Sequence, residues 1–281
     1  MLTLLLLAVV QIIVEVLPIS SSGHMQLAEM LVRRAGWQMP LPPRYFDEFL
    51  HLFTLLMMIM FFRRQWLPLV RRLAVISICW WQGRVLQASQ KKLLQLTAQL
   101  AGYVILSVAA TVAGYLVIKN NGIDQMIAAQ PVFLAAGFGL TGLMLWLISW
   151  LPVVSNRRNP LLITLLTIVA QLASCLLPGV SRFAGTVLAG RLFGVSARRS
   201  LQWSWLVFAP LMVAASMVHG VGYFILQGQH WFVCNPLFFG SCLLAGLVSY
   251  GVFAGVFFLF ERRLVWLLAI YMLIPIVLTL W

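Results

Sequence analysis

Charge is what this sequence has least of. Only 9% of its 281 residues are charged, and the acids number six: Glu15, Glu29, Asp47, Glu48, Asp124 and Glu261. A soluble domain carries roughly 25% charged and 45–50% apolar residues. Here 62% are hydrophobic and the mean hydropathy is +0.98, which excludes a soluble fold and implies a polytopic membrane protein. Cys79, Cys175, Cys234 and Cys242 lack metal-ligand spacing and read as small hydrophobes in or near spans. The first apolar segment has no basic leader, so it is not expected to be a removable signal peptide. The net charge of +13 lacks a single amphipathic basic face, so no nucleic-acid partner is expected. Lys and Arg between apolar spans suit the cytoplasmic side and anionic bilayer lipids instead.

What is present is concentrated in two broken apolar stretches. Residues 9–25 read VVQIIVEVLPISSSGHM. Glu15 sits inside the apolar run, Pro18 breaks it, and Ser20, Ser21, Ser22, Gly23 and His24 follow. Proline removes a backbone donor and disfavours helix at the preceding residue, while serines cap the helix that restarts. Residues 176–186 read LLPGVSRFAGT and repeat the plan, with Ser181, Arg182 and Thr186 after Leu177-Pro178. Paired interrupted segments, one per half, point to a binding site within a membrane protein.

Taken in order, the chain offers two half-length helices around Pro18, a polar loop at 33–48 and a short apolar run at about 49–62 ending at Arg63-Arg64. In the basic region 63–92, the apolar patch 73–81 reads as a buried or interfacial helix. Spans follow at about 93–118 and 131–151. Two half-length pieces flank Pro178, and spans at about 201–226, 237–260 and 264–281 complete the chain. Placing the basic loops 63–92, 152–160, 196–200 and 261–263 in the cytoplasm gives a consistent alternation; Arg33, Arg34 and Arg44 count against it. The resulting expectation is an all-α polytopic membrane protein of about six transmembrane helices plus two re-entrant helical hairpins. These would form a single domain, 1–281, with inverted-topology repeats at approximately 1–118 and 150–260. Eight ordinary spans, two kinked at proline, are the alternative.

Glu15 is costly in such a setting unless paired or solvated. Arg182 and His24 are its expected partners, either as a lock between segments or as members of a shared pocket. Arg182 offers a planar, permanently charged fork for phosphate or carboxylate. Ser20, Ser21, Ser22, Ser181 and Thr186 add hydroxyls, and the two half-helix starts add free N–H groups. A serine beside Glu15 or His24 as base could attack phosphorus, and His24 suits equally an acid protonating the leaving group. An anion transporter would need the same cradle. Gln11 and Gln202 are candidate pocket-lining residues. His51 reads as structural, and His219 as a cavity candidate without a near partner. Trp146, Trp150, Trp203, Trp205, Trp231, Trp266 and Trp281 read as interfacial anchors.

EVLPISSSGH at 15–24 and LPGVSRFAGT at 177–186 resemble the two signatures of the undecaprenyl-diphosphate phosphatase family (BacA/UppP). The stretches 51–64 and 191–216 resemble those that follow each signature. The resemblance implies an integral enzyme of the bacterial inner membrane that hydrolyses undecaprenyl diphosphate at its outer face, recycles the lipid carrier for peptidoglycan synthesis, and confers bacitracin resistance when abundant. It implies Glu15, Ser21 and His24 as catalytic and Ser181, Arg182 and Thr186 as phosphate-binding, with Ser20 and Ser22 beside them. A homodimer is compatible with it. Four departures stand out: the family's Ser-Arg-Ser-Gly reads Ser181-Arg182-Phe183-Ala184 here, with Gly185 one place late, and three others concern the acids and the first signature. Gln11 replaces a first carboxylate, Ile12-Ile13-Val14 replaces Gly-x-Thr, and Gln202 replaces a later Glu. A divalent cation, Mg or Ca, would therefore have Glu15 as its remaining acidic ligand. A polyprenyl-phosphate or other amphipathic-anion flippase, a phosphatase of a different lipid phosphate, and a non-catalytic scaffold are the rival readings.

Overall fold

The computed structural model describes residues 11–36, 44–128, 130–153, 159–217 and 236–281. Expectations that fall on residues 1–10, on Arg157 and Arg158, and on His219, Trp231 and Cys234 lie outside the described residues.

Among the described residues every regular element is helical. Residues 11–16 (α1) run to the break at Pro18, and α2 (Ser21–Arg34) restarts from it. Then follow α3 (Arg44–Trp81), α4 (Ala88–Asn120), the short α5 (Ile123–Ala128) and α6 (Pro131–Trp150). The second half holds α7 (Pro160–Leu176), α8 (Arg182–Leu192), α9 (Ala197–Ala215), α10 (Pro236–Glu261), α11 (Trp266–Tyr271) and α12 (Leu273–Leu280). Proline opens α6 and α7 at their first turn, where its missing N–H costs nothing. Asn159 caps α7 by accepting from Leu162 N.

Among the described residues three helical stretches, His51–Trp81, Ala88–Asn120 and Pro131–Trp150, are long and apolar enough to cross a bilayer. Gly246–Glu261 and Trp266–Leu280 pass that test only together, meeting at a bend of 107°. Helix α7 is apolar but has 17 residues, short of the ~20 that a crossing takes. Outward-facing Leu, Val and Trp side chains cover these helices, as lipid contact requires.

Two expectations are corrected. Helix α3 does not end at Arg63-Arg64 but continues as one element to Trp81, with Pro68 inside it. Arg and Gln are good helix formers and interrupt hydrophobicity without interrupting the backbone. At 38 residues and ~1.5 Å per residue, α3 is about 57 Å long and outruns a hydrocarbon core of ~30 Å. Trp205 is not an interfacial anchor. It is 1% exposed, with its ring against Phe183 and Phe253 in the central core.

That core gathers Ile12 and Val16 from α1, Phe138 and Leu145 from α6, and Leu201 and Trp205 from α9. Helix α8 packs against α6, α7 and α9, α10 lies along α3, and α2 rests on α6 and α12. The two broken stretches therefore meet in the interior. A Cβ added to Gly23 would fall 2.6 Å from the Gly179 Cα, so their backbones touch where side chains would hold them apart.

Candidate active site

One wall of the site is the break after α1. Ser20 adopts φ 69°, a left-handed conformation uncommon outside glycine. From there its Oγ accepts from Gly23 N, closing the first turn of α2. The Ser20 hydroxyl is thus used as a cap. Ser21 and Ser22 follow in the first turn, and among the described residues no hydrogen bond holds either hydroxyl. All three serines line a cavity of about 210 Å³, several times the ~30 Å³ that one water occupies.

The opposite wall is built in the same way. Gly179, at φ 87°, turns the chain, and Ser181 Oγ accepts from Ala184 N as the cap of α8. Helix α6 clasps this turn through two residues one helical turn apart. Gly137 leaves room for the Pro178 carbonyl, and Thr141 donates to Gly179 O at 2.8 Å while accepting from Ser181 N at 2.8 Å. Arg182 donates through Nε to Ser174 Oγ at 3.3 Å, and its guanidinium lies 5.5 Å from the Phe208 ring centre. It has no carboxylate partner among the described residues, so the fork remains available to an anion. Thr186 donates to Phe183 O and shares a hydrogen bond with Ser204.

Glu15 lines the same cavity, and its partner differs from both expected ones. Neither Arg182 nor His24 pairs with it. Oε1 instead meets His51 Nδ1 at 2.6 Å, and Oε2 accepts from Thr54 Oγ1 at 3.4 Å. The 2.6 Å contact is not straight enough for an ideal hydrogen bond. The Glu15 side chain is 2% exposed and that of His51 22%, and both line the cavity.

Ser20, Ser21, Ser22, Ser181, Arg182, Thr186 and Glu15 are thus brought to one cavity. Three candidates are not. His24 donates through Nδ1 to Ser20 O at 2.8 Å, and its Nε2 meets the Tyr271 hydroxyl at 3.1 Å, away from the cavity lining. Gln202 donates to Gln65 Oε1 at 2.7 Å and lines a separate hollow of about 280 Å³ between α3 and α9. Gln11, four residues before Glu15, is buried and is not part of the lining.

His51, which reads as structural in the sequence, also lines the cavity, as do Gln171, Ser174 and Ser204, which the sequence does not single out. His51 and Thr54 lie three apart and share a helix face, a polar pair in an apolar run. Gln171 stands seven residues before Pro178, as Gln11 stands seven before Pro18. Its Oε1 accepts from Ser107 and Thr111, while its buried Nε2 has no hydrogen-bond partner.

Chemically, this is an anion site with a nucleophile in it. The starts of α2 and α8 both open on the cavity, bringing unpaired N–H groups and positive dipole ends to the place Arg182 occupies. The donor set does not suit a resident divalent cation. Ca²⁺ takes six to eight oxygens and Mg²⁺ a near-octahedral set. Here the one lining carboxylate is engaged by an imidazole, and no group of three His, Cys, Asp or Glu exists among the described residues.

A family model described as bacitracin resistance protein BacA matches residues 4–278. The undecaprenyl-diphosphatase of Gemmatimonas aurantiaca is 28% identical over 261 residues, covering 89% of this chain and 91% of that protein. The undecaprenyl-diphosphatase of Trichlorobacter lovleyi is 29% identical over 93% of this chain and 89% of its own length. That of Chromohalobacter salexigens is 31% identical over 76% and 74%.

Proposed function

The chain belongs to the bacitracin resistance protein BacA family, and from that membership we propose that it hydrolyses undecaprenyl diphosphate to undecaprenyl phosphate and inorganic phosphate. It is a membrane hydrolase that recycles the lipid carrier of cell wall synthesis. The observation that carries this reading is the convergence of Ser21, the Arg182 fork and two helix starts on one cavity. Its volume suits a diphosphate headgroup and leaves the prenyl chain outside. Phe208, Leu211 and Met212 supply an apolar side for the first isoprene units.

The reaction proceeds by positioning and charge stabilisation, as phosphoryl transfer generally does. Arg182 and the first-turn amides of α2 and α8 hold the terminal phosphate. Ser21 Oγ forms a bond to the terminal phosphorus, the bridging P–O bond breaks, and undecaprenyl phosphate leaves with the bonding electrons. Water then attacks the phosphoserine, releases phosphate and restores the hydroxyl. Glu15 supplies the negative charge that favours removal of the serine proton. Ser181 and Ser20 keep both helix starts closed, Thr186 braces α8 against α9, and His24 fixes the turn at Ser20. No step is routed through a metal; a divalent cation, Mg or Ca, is proposed only as a counter-ion arriving on the diphosphate.

The proposed membrane arrangement is six crossings and two hairpins dipping from opposite faces of the inner membrane, with repeats at 1–118 and 150–260. Supporting it are the matched breaks at Pro18 and Pro178, the matched serine caps and the backbone contact of Gly23 with Gly179.

The test is phosphate release from undecaprenyl diphosphate by the purified protein, with and without chelator. Release supports the phosphatase. Absence of release, together with movement of polyprenyl phosphate across vesicle bilayers, selects the flippase. Arg182→Lys keeps the charge but loses the two-pronged geometry. It is expected to lower kcat/KM by roughly 10- to 100-fold, the size of a lost charge-assisted hydrogen bond. Steady-state phosphate release at varied substrate concentration measures it.

A further inference from the structure

We propose that the gap between the far end of α3 and the start of α4 seats an anionic glycerophospholipid of the bilayer, its phosphate held by Arg71, Arg72 and Lys92. This site stands apart from the phosphate cavity and does not depend on the phosphatase reading.

The sequence sets the charge. Between Glu48 and Asp124 there is no acidic residue, while eight Lys and Arg fall in that interval. Three of these cations line one hollow of about 580 Å³, Arg71 and Arg72 from α3 and Lys92 from α4. None of the three meets a carboxylate among the described residues, where the ion pairs are Glu15 with His51 and Glu261 with Arg198. Like charges gathered without a counter-ion repel, and a phosphodiester anion between them relieves that repulsion. Guanidinium forks suit its oxygens. Ser89, in the first turn of α4, adds a hydroxyl to the same lining.

The rest of the lining favours a lipid over a free anion. Val75, Ile76, Leu93 and Leu96 form apolar walls beside the cations. Leu100, one turn beyond Leu96, lines the next hollow along the pair, the one of about 280 Å³ that holds Gln202. An acyl chain leaving the phosphate can follow Leu96 to Leu100 and continue against Phe62 and Trp66 of α3. The depth is that of a headgroup. Trp80 and Trp81 stand exposed at the end of α3, and indole rings sit at the headgroup level of a bilayer. Val75 and Ile76 precede Trp80 by about 6–8 Å along the helix.

Bilayer phospholipid surrounds the outward-facing sides of α3 and α4, so an anionic species reaches the gap by lateral diffusion. Each Lys or Arg near a membrane surface strengthens binding of anionic lipid by about fivefold. Three aimed at one phosphate therefore give a preference of about 100-fold over a zwitterionic headgroup, whose own cation opposes them.

The experiment titrates the purified full chain in detergent with phosphatidylglycerol or phosphatidylcholine and counts retained lipid by native mass spectrometry. Wild type is expected to hold one phosphatidylglycerol about 100-fold more tightly than phosphatidylcholine. Combining Arg71→Gln, Arg72→Gln and Lys92→Gln should bring the two lipids within about threefold of each other. Combining Arg64→Gln, Arg84→Gln and Lys91→Gln removes as many charges from outside the hollow and should leave the preference in place. Val75→Trp keeps every charge but fills the gap from an exposed position. It is expected to weaken phosphatidylglycerol binding by about tenfold or more, with a melting temperature near wild type. That variant decides the matter if the first triple variant is poorly folded. A wild type that does not distinguish the two lipids overturns the proposal. So does an equal loss in both triple variants, which is the signature of diffuse surface charge. Displacement of phosphatidylglycerol by an equal amount of polyprenyl phosphate overturns the assigned occupant. A chain that releases no phosphate from undecaprenyl diphosphate but shows the expected lipid preference removes the phosphatase reading and supports this one.

Discussion

Ser21→Ala is expected to abolish phosphate release, a loss of ~10⁴-fold or more, since cradle and carboxylate alone give only residual catalysis. The variant should nevertheless fold. The Ser21 hydroxyl takes part in no hydrogen bond among the described residues, and the cap of α2 is Ser20. Alanine is also the best helix former, so the stability change should stay within ~0.5 kcal/mol. A melting temperature near wild type with turnover gone isolates the chemical role. Substrate labelled in the terminal phosphate should leave label on acid-quenched wild-type protein and none on the variant. Turnover within tenfold of wild type would remove Ser21 as nucleophile and turn attention to Ser22, its neighbour on the cavity wall.

Gly179→Ala should damage the site from the backbone side. At φ 87° an L side chain is strained, costing ~1 kcal/mol. Its Cβ would also fall 2.7 Å from Leu134 O and 2.9 Å from Phe138 N, both backbone atoms of α6 that cannot swing aside. Overpacking of this kind costs about 1–3 kcal/mol more. The turn can relax only by leaving α6, which breaks the Thr141 bonds to Gly179 O and Ser181 N and carries Arg182 with it. A 1 Å misplacement of a positioning group can cost ~10²-fold in rate. The expected result is a fall of several degrees in melting temperature in detergent and at least a 100-fold loss of kcat/KM. An alanine variant with wild-type kcat/KM would mean that the clasp does not set the position of Arg182.

The elements that proline and glycine punctuate were the legible ones. Pro18, Pro178 and the residues after them locate both breaks and six of the ten polar residues that line the cavity with Glu15. What escaped were facts that depend on who faces whom across the fold. His51 looked like an ordinary polar residue at a span end, because the contact with Glu15 joins α3 to α1 and leaves no local pattern. Gln202 is a polar intrusion in an apolar helix, yet it faces Gln65 rather than the phosphate cavity. His24 lies in the signature but rotates with α2 toward Tyr271. Trp205 resembled its neighbours in composition, and only the ring contacts with Phe183 and Phe253 place it inside. Loss of hydrophobicity at Arg63 hides the length of α3, because leaving an apolar environment and ending a helix are separate properties.

The meeting of Gly23 with Gly179 has a further consequence for how the two halves cohere. The starts of α2 and α8 converge there, each carrying about half an elementary positive charge, with Arg182 adding a whole one. Like charges so placed push the halves apart, and the glycine contact brings them close without side chains to interlock. A phosphate dianion between them turns that repulsion into attraction from both sides. The headgroup is then a strut as much as a substrate: by mass action, whatever occupies the cavity also holds the molecule together.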